Sequence, residues 1–251
     1  MRADTVAEIS GKDSIAAALF AATREDVRVI VPSIVTAPTE YGDHGALLRN
    51  VEFLRAEVAE RYRKIVLEPV VDCWPELWGA LNGAFAGELQ DRFDFYSPCP
   101  GCHLYFHLMR LPVARHFGAT KIISGERERH GRRIKLNQVS EALDLYQQTL
   151  ARTGIELLIP LREIESDADV LAILGPRWHG GVDQLRCVFS GNYVLVDGKV
   201  PYPSTEYRAY LREYLADVAP ELARRIDAGH RHGFRDLVGQ RLRAGRTDSI
   251  G

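Results

Sequence analysis

"TVAEISGKDS", residues 5–14, decides the fold. A short β-rich segment runs straight into a glycine turn. "SIAAALFAATRE", residues 14–25, follows as a small-residue helix able to pack closely on a sheet. This strand–loop–helix junction is where an open α/β sheet is expected to carry a mononucleotide site. Gly11 lets the backbone turn tightly, and the N–H groups at the helix start, with Lys12 and the hydroxyls of Ser10 and Ser14, suit a phosphate. The same letters also suit a plain turn with Asp13 or Ser14 as N-cap. Neither "GxxxxGK[ST]" nor "GxGxxG" is spelled here.

Outward from that junction the alternation continues. "VRVIVPSIV" (27–35) is a continuous apolar run of the kind found in buried parallel strands. "TAPTEYGDHG" (36–45) reads as a loop, and "ALLRNVEFLRAEVAERYR" (46–63) as a helix with Leu47, Leu48, Val51, Leu54 and Val58 on one stripe. "KIVLEPV" (64–70), "TKIISG" (120–125) and "IELLIPL" (155–161) are three more strands. The helices between them are "PELWGALNGAFAGELQ" (75–90), "HLYFHLMRLPVARHFG" (103–118) and "VSEALDLYQQTLARTG" (139–154). Strands alternating with helices argue for α/β architecture, an open parallel sheet with helices on both faces.

Beyond residue 165 the pattern changes. "DADVLAILG" (167–175) is a short helix, and "LRCVFSGNYVLVDGKV" (185–200) reads as a β segment turning at Asp197-Gly198. "STEYRAYLREYLADVAPELARRIDAG" (204–229) is helical, with Pro220 marking a break or restart. The basic tail from residue 230 is expected to fray. The division is residues 1–165 as an α/β domain and 166–251 as a C-terminal helical and β extension of the same compact unit.

Composition narrows the partners. With 32 Lys and Arg against 34 Asp and Glu, the net charge of −2 gives no bulk attraction for a polyanion. The tail arginines Arg231, Arg235, Arg241, Arg243 and Arg246 are the electrostatic hint of RNA. No apolar run approaches the roughly 18–20 residues needed to span a bilayer. Asp4 and Glu8 fall where a signal peptide needs an unbroken apolar core. A cytoplasmic protein without a membrane partner is expected. Four cysteines in a reduced chain of this length are not a disulfide scaffold.

"ISGKDS" resembles the pyrophosphate loop of the PP-loop family of ATP pyrophosphatases, S-G-G-x-D-S, at the same strand–helix junction. The match is clean from Gly11 to Ser14, with Ile9 and Ser10 where the family has Ser and Gly. "VRVIVPSIV" falls where that fold lays a strand beside the adenine, and "ATKIISGERERH" (119–130) is similar to its later strand ending in a glycine beside the nucleotide. The resemblance implies adenylation of a carbonyl oxygen with release of pyrophosphate, so that a nucleophile displaces AMP. It implies ATP held by Ser10, Gly11, Lys12, Asp13, Ser14, Ser124, Gly125 and Arg127, with Mg2+ on the phosphates and Asp13 helping to position it.

"SPCPGCHLYFH" (97–107) carries the second decision. C-x-x-C-H is the spelling for covalent haem, but that attachment belongs to exported proteins. A thioredoxin-like dithiol is expected earlier in a smaller fold. Structural zinc needs four ligands, and only one C-x-x-C exists, although Cys73, Cys187, His103 and His107 are available to complete a set. Three thiolates, Cys99, Cys102 and Cys187, suit an iron–sulfur cluster with one iron left open. The order and broad spacing resemble those of the iron–sulfur-dependent tRNA thiolases within the PP-loop family. There the open iron is thought to carry the sulfur that attacks the adenylated base, so Cys187 joins Asp13 as a catalytic candidate. Taken alone, Cys187 and Cys73 read as packed small hydrophobes.

Other candidates are weaker. Arg127, Arg132, Arg133 and Lys135, in a charged loop leaving the C-terminal end of a strand where open α/β sheets bind ligands, suit phosphate or pyrophosphate, with a solvated loop as the plain alternative. His103 and His107 share a helix face as cluster neighbours or acid–base groups, or are structural, His103 as a helix start. Arg110 can reach a substrate anion, Glu40 and Asp43 a metal or ribose, and Trp178, His179 and Gly180-Gly181 can form a substrate-facing loop.

The expectation is an ATP-dependent sulfur transferase with ATP, Mg2+ and a 4Fe–4S cluster. It would use a sulfur donor and act on tRNA or a small nucleobase-like molecule, with a homodimer as its assembly. The alternatives are a zinc-containing PP-loop ligase similar to 7-cyano-7-deazaguanine synthase and a non-catalytic nucleotide-binding module.

Overall fold

The computed structural model describes residues 2–179 and 184–247. In chain order the elements are β1 (Thr5–Glu8), α1 (Lys12–Ala21), β2 (Val29–Val35), β3 (Glu40–Tyr41), α2 (His44–Tyr62), β4 (Ile65–Val66) and β5 (Val70–Asp72). Next come α3 (Pro75–Trp78), α4 (Ala86–Phe93), α5 (Pro98–Phe117), β6 (Lys121–Ile123), α6 (Ser140–Ala151), β7 (Glu156–Leu158) and α7 (Asp167–Leu174). β8 (Arg186–Cys187), α8 (Thr205–Ala209), α9 (Ala216–Asp227) and α10 (Phe234–Thr247) complete the described chain.

The central sheet has the order β4-β2-β1-β6-β7 with β5 also on β2, and every pair in it is parallel. This is an open α/β sheet covered on both faces. Strand side chains alternate between two cores. Val6, Val31 and Ile122 face the layer of α5, α6, α9 and α10, whereas Ala7, Ile30 and Ile123 face the layer of α1, α2 and α7. "KIVLEPV" is split, β4 meeting Val29–Ile30 and β5 meeting Ser33–Val35. Pro32, which has no N–H to donate, falls in the gap between the two partners, so the missing donor removes no ladder bond.

Three expectations need correction. The segment after Cys187 forms turns around Asp197-Gly198 and not a hairpin: only Arg186–Cys187 is extended, paired antiparallel with Glu40–Tyr41. Val188, Val194, Leu195 and Val196 stay exposed, with no layer to bury a strand's apolar face. Pro220 does not stop its helix, which runs on through α9 after a π turn at Tyr210–Leu215. The tail does not fray over its described part. Phe234, Leu237, Val238 and Leu242, at i, i+3, i+4 and i+8, are buried and dock α10 on the core. No helix among the described residues is long and apolar enough to cross a membrane.

Candidate functional site

The chain leaves β1 toward β2 on one side and has β6 on the other, so the sheet's switch point lies between the carboxyl ends of β1 and β6. A cavity of about 710 Å3 opens there. Its walls are the β1–α1 loop, the end of β6, one face of α5, and the strap around β8.

The β1–α1 loop is held from within. The Ser14 hydroxyl accepts the Ser10 N–H and donates to the Gly11 carbonyl, both at 2.8 Å, and the Asn50 amide donates to the Ser10 carbonyl at 2.6 Å. Asp13 and Ser14 lie in the first turn of α1, where N–H groups have no acceptor within the helix. Gly125 brings the β6 end against that turn. A Cβ there would lie 2.4 Å from Ser14 N and 2.5 Å from its Cα, a distance only glycine permits. Ser10, Gly11, Asp13, Ser14 and Gly125 therefore line the cavity together.

Lys12, Ser124 and Arg127 stand behind this surface. Lys12 bonds Asp13 at 2.7 Å and Asp167 at 3.1 Å; the buried Arg127 reaches Asp167 at 2.6 Å and Asp13 at 3.4 Å. Hydrogen bonds from Arg127 and Lys12 hold the Asp167 carboxyl below its usual range. Ser124 donates to Glu8 Oε2 at 2.9 Å, and the Gly125 N–H donates to the same oxygen at 3.3 Å. In the charged loop Lys135 reaches the cavity, and burial pulls its ammonium down. Arg132 and Arg133 are exposed and lie off its wall.

Helix α5 begins at Pro98 with Ser97 as N-cap, its hydroxyl accepting the Cys99 N–H at 3.3 Å, so the C-x-x-C lies inside the helix. Cys99, Cys102, His103, Phe106 and Arg110 form one face, and all five line the cavity. His103 is thus a wall residue and not merely a helix start. Its Nδ1 lies 2.6 Å from Glu126 Oε1, and Asn137 Nδ2 lies 2.8 Å from its Nε2. Glu126 also meets His107 at 3.2 Å. Burial alone would raise this carboxyl, but the two imidazoles outweigh it and hold it at about 2. Arg110 is 1% exposed; its Nη1 donates to the Phe106 carbonyl at 2.7 Å and its Nε has no partner.

Cys187 lines the same cavity from β8, its sulfur 3.4 Å from the Thr39 hydroxyl. Cys73 is exposed and off the wall. Burial pushes the Cys99 thiol up to about 11 and the Cys102 thiol well above its ordinary value, against a hydrogen bond from the Trp78 indole. Burial thus favours the neutral thiols, and a cationic centre beside them would favour the thiolates. Three sulfur donors lining one cavity, two from α5 and one from β8, fit an iron–sulfur centre in donor chemistry. Among the described residues, no three His, Cys, Asp or Glu side chains already stand at metal-holding spacing. The sulfurs share a cavity and must close in to share an ion.

Glu40 lines the cavity half-buried, and burial raises its carboxyl, while Asp43 caps α2 away from it. Trp178 packs edge-on against Phe53 at 4.9 Å, and Gly180-Gly181 lie outside the described residues. Sequence reading missed Glu8 and Glu126. Glu126 directly follows the glycine of "ISGE", a signal already present in the sequence.

No family model matches the chain. It is 33% identical over 238 residues to the protein named "Uncharacterized protein MJ0009" from Methanocaldococcus jannaschii, a match covering 94% of this chain and 84% of that one.

Proposed function

The chain belongs to the family of that archaeal protein, and from this premise we propose that it is an ATP-dependent sulfur transferase. It adenylates a carbonyl oxygen of a nucleobase-like substrate, free or in tRNA, and replaces that oxygen with sulfur. One observation carries the reading: the glycine loop, Gly125 and three cysteines as distant as Cys99 and Cys187 line a single cavity at the sheet's switch point.

In this reading the loop from Ser10 to Ser14, closed by Gly125, receives the phosphates on backbone N–H groups at the start of α1. Lys12 and Arg127 supply positive charge behind it, and Asp13 orients Mg2+ on the phosphates. The adenylated oxygen then faces the α5 wall with its cysteines. Cys99, Cys102 and Cys187 would hold a 4Fe–4S cluster, which would supply the sulfur-transfer chemistry opposite the glycine loop.

The test is metal analysis after anaerobic purification, combined with an assay for ATP cleavage to AMP and pyrophosphate. About four irons per chain with AMP formation is the expected result. Stoichiometric zinc without iron would favour a PP-loop ligase similar to 7-cyano-7-deazaguanine synthase. No ATP cleavage with any acceptor would leave a nucleotide-binding module.

A further inference from the structure

The charges behind the glycine loop close into a ring. Lys12 meets Asp13 at 2.7 Å and Asp167 at 3.1 Å, and Arg127 meets the same two carboxylates at 3.4 and 2.6 Å. Two cations and two carboxylates alternate, so their charges cancel within the ring. Of the four side chains, Asp13 lines the cavity and Lys12, Arg127 and Asp167 do not. The Arg127 side chain is only 5% exposed, and its Nη1 also donates to the Glu165 carbonyl at 3.4 Å, so it is the fixed member. Lys12 is the movable one, an ammonium on a flexible stem held between a carboxylate on the wall and one behind it. Asp167 is the first residue of α7, but Ser166 caps that helix, its hydroxyl accepting the Ala168 N–H at 3.0 Å. An acidic residue in a first turn is favoured by the helix dipole alone, a role that needs neither Lys12 nor Arg127.

A phosphate entering the loop from the cavity thus meets cations that an internal carboxylate already occupies. A ligand that needs a minor conformation loses affinity in proportion to how rarely that conformation is populated. We infer that Asp167 is a built-in competitor for phosphate, an autoinhibitory contact that holds Lys12 behind the loop until a polyphosphate draws it off. The competition weakens the hold on ATP and on pyrophosphate alike, and once the anion leaves, Lys12 returns to Asp167. This rests on the reading of the glycine loop as a phosphate site, to which it adds a control on affinity.

Titration calorimetry of the full chain with inorganic pyrophosphate, and separately with ATP, tests it. Both ligands are expected to bind Asp167→Asn about 3- to 10-fold more tightly than wild type. Asp167→Ala should give the same gain and serves where the Asn variant fails to fold. Removing any carboxylate near an anion site also raises affinity through the general field, and a double-mutant cycle separates the two causes. In a Lys12→Met background, Asp167→Asn should bring a gain under about 2-fold, because the cation in contention is gone. The full gain in that background makes Asp167 a bystander charge, and unchanged or weaker binding by Asp167→Asn makes it a clamp for α7; either result overturns the inference. So does a failure of wild type and Asp167→Asn alike to bind pyrophosphate or ATP. Tighter pyrophosphate binding by Asp167→Asn, lost in the Lys12→Met background, with no ATP cleavage by wild type keeps the competitor and removes the transferase reading. ATP cleavage with pyrophosphate affinity indifferent to Asp167→Asn does the reverse.

Discussion

The two halves of the cavity are built by different physics. The inner half, from β1, β6 and the first turn of α1, is part of the core: Ile9, Ser124 and Ile15 are buried, and Gly125 lets two backbones touch. The outer half hangs on a two-residue antiparallel pair, Glu40–Tyr41 with Arg186–Cys187, followed by turns that leave Val188, Leu195 and Val196 in solvent. One half is built into the core, and the other is anchored on it by Leu185, buried in one core, and by Tyr193 and Val200, packed against the other. The proposed three-thiolate centre would need one compliant wall, because the three sulfurs do not stand at ligand spacing, and the strap carrying Cys187 is the candidate for it.

The sharpest way to break this contrast is at its glycines. Gly125→Ala puts a methyl 2.4 Å from backbone on the rigid side, where neither β6 nor α1 can yield, and should destabilise by about 3 kcal/mol or more. Urea denaturation would measure it, and a loss under about 1 kcal/mol would mean that the β6–α1 contact is loose.

The next effect also belongs to the inner half and depends on pH. Glu126 has its carboxyl held from 4.5 down to about 2, burial raising it and His107 and His103 lowering it further. A depressed folded value stabilises above the unfolded carboxylate range, and that stability disappears as pH falls from about 5 toward 2. The contribution is roughly 3 kcal/mol. Denaturation at stepped pH should show this acid loss in the wild type and a flatter profile in Glu126→Gln. Equal slopes would remove the imidazole–carboxylate cluster as its cause.

Much of the inner half was legible in the sequence. Apolar runs such as "VRVIVPSIV" announce buried parallel strands by composition alone, and the glycine turn after "TVAEI" fixes where a switch point can lie. The α5 stripe was equally available, since residues 99, 102, 103, 106 and 110 repeat at helical spacing. The pairing of Glu126 with His103 and of Glu8 with Ser124 depends on which strands neighbour each other, and no local pattern specifies that. Docking of α10 was readable from Phe234, Leu237, Val238 and Leu242, but the basic residues between them pulled the reading toward a solvated tail. The absent hairpin after Cys187 was not readable, because a β-rich segment becomes a strand only where another layer covers it.

A milder effect tests the boundary between the halves. Gly11 sits in the same loop as the first turn of α1, yet a Cβ there would first meet the Gln184 side chain, Oε1 at 2.5 Å and Cβ at 3.1 Å, and no backbone as near. The Gln184 amide can swing away, and the backbone at Gly11, φ −98°, admits any residue. Gly11→Ala should therefore cost about 1 kcal/mol or less, chiefly as a poorer N-cap. A loss as large as that of Gly125→Ala would show that the strap is as rigid as the sheet.

The smallest stability change is expected at the strap itself. Cys187→Ser keeps a polar atom near the Thr39 hydroxyl and alters a half-buried position with few packed neighbours, so stability should stay within about 0.5 kcal/mol of wild type. Retention of iron should nevertheless be lost, because two sulfurs on α5 leave a proposed three-thiolate centre short of a ligand. The separation of the two readouts is the point. If iron and stability fall together, the strap is load-carrying structure; if neither changes, Cys187 is not a ligand. Loss of iron at constant stability is the signature of a wall whose position the bound centre fixes.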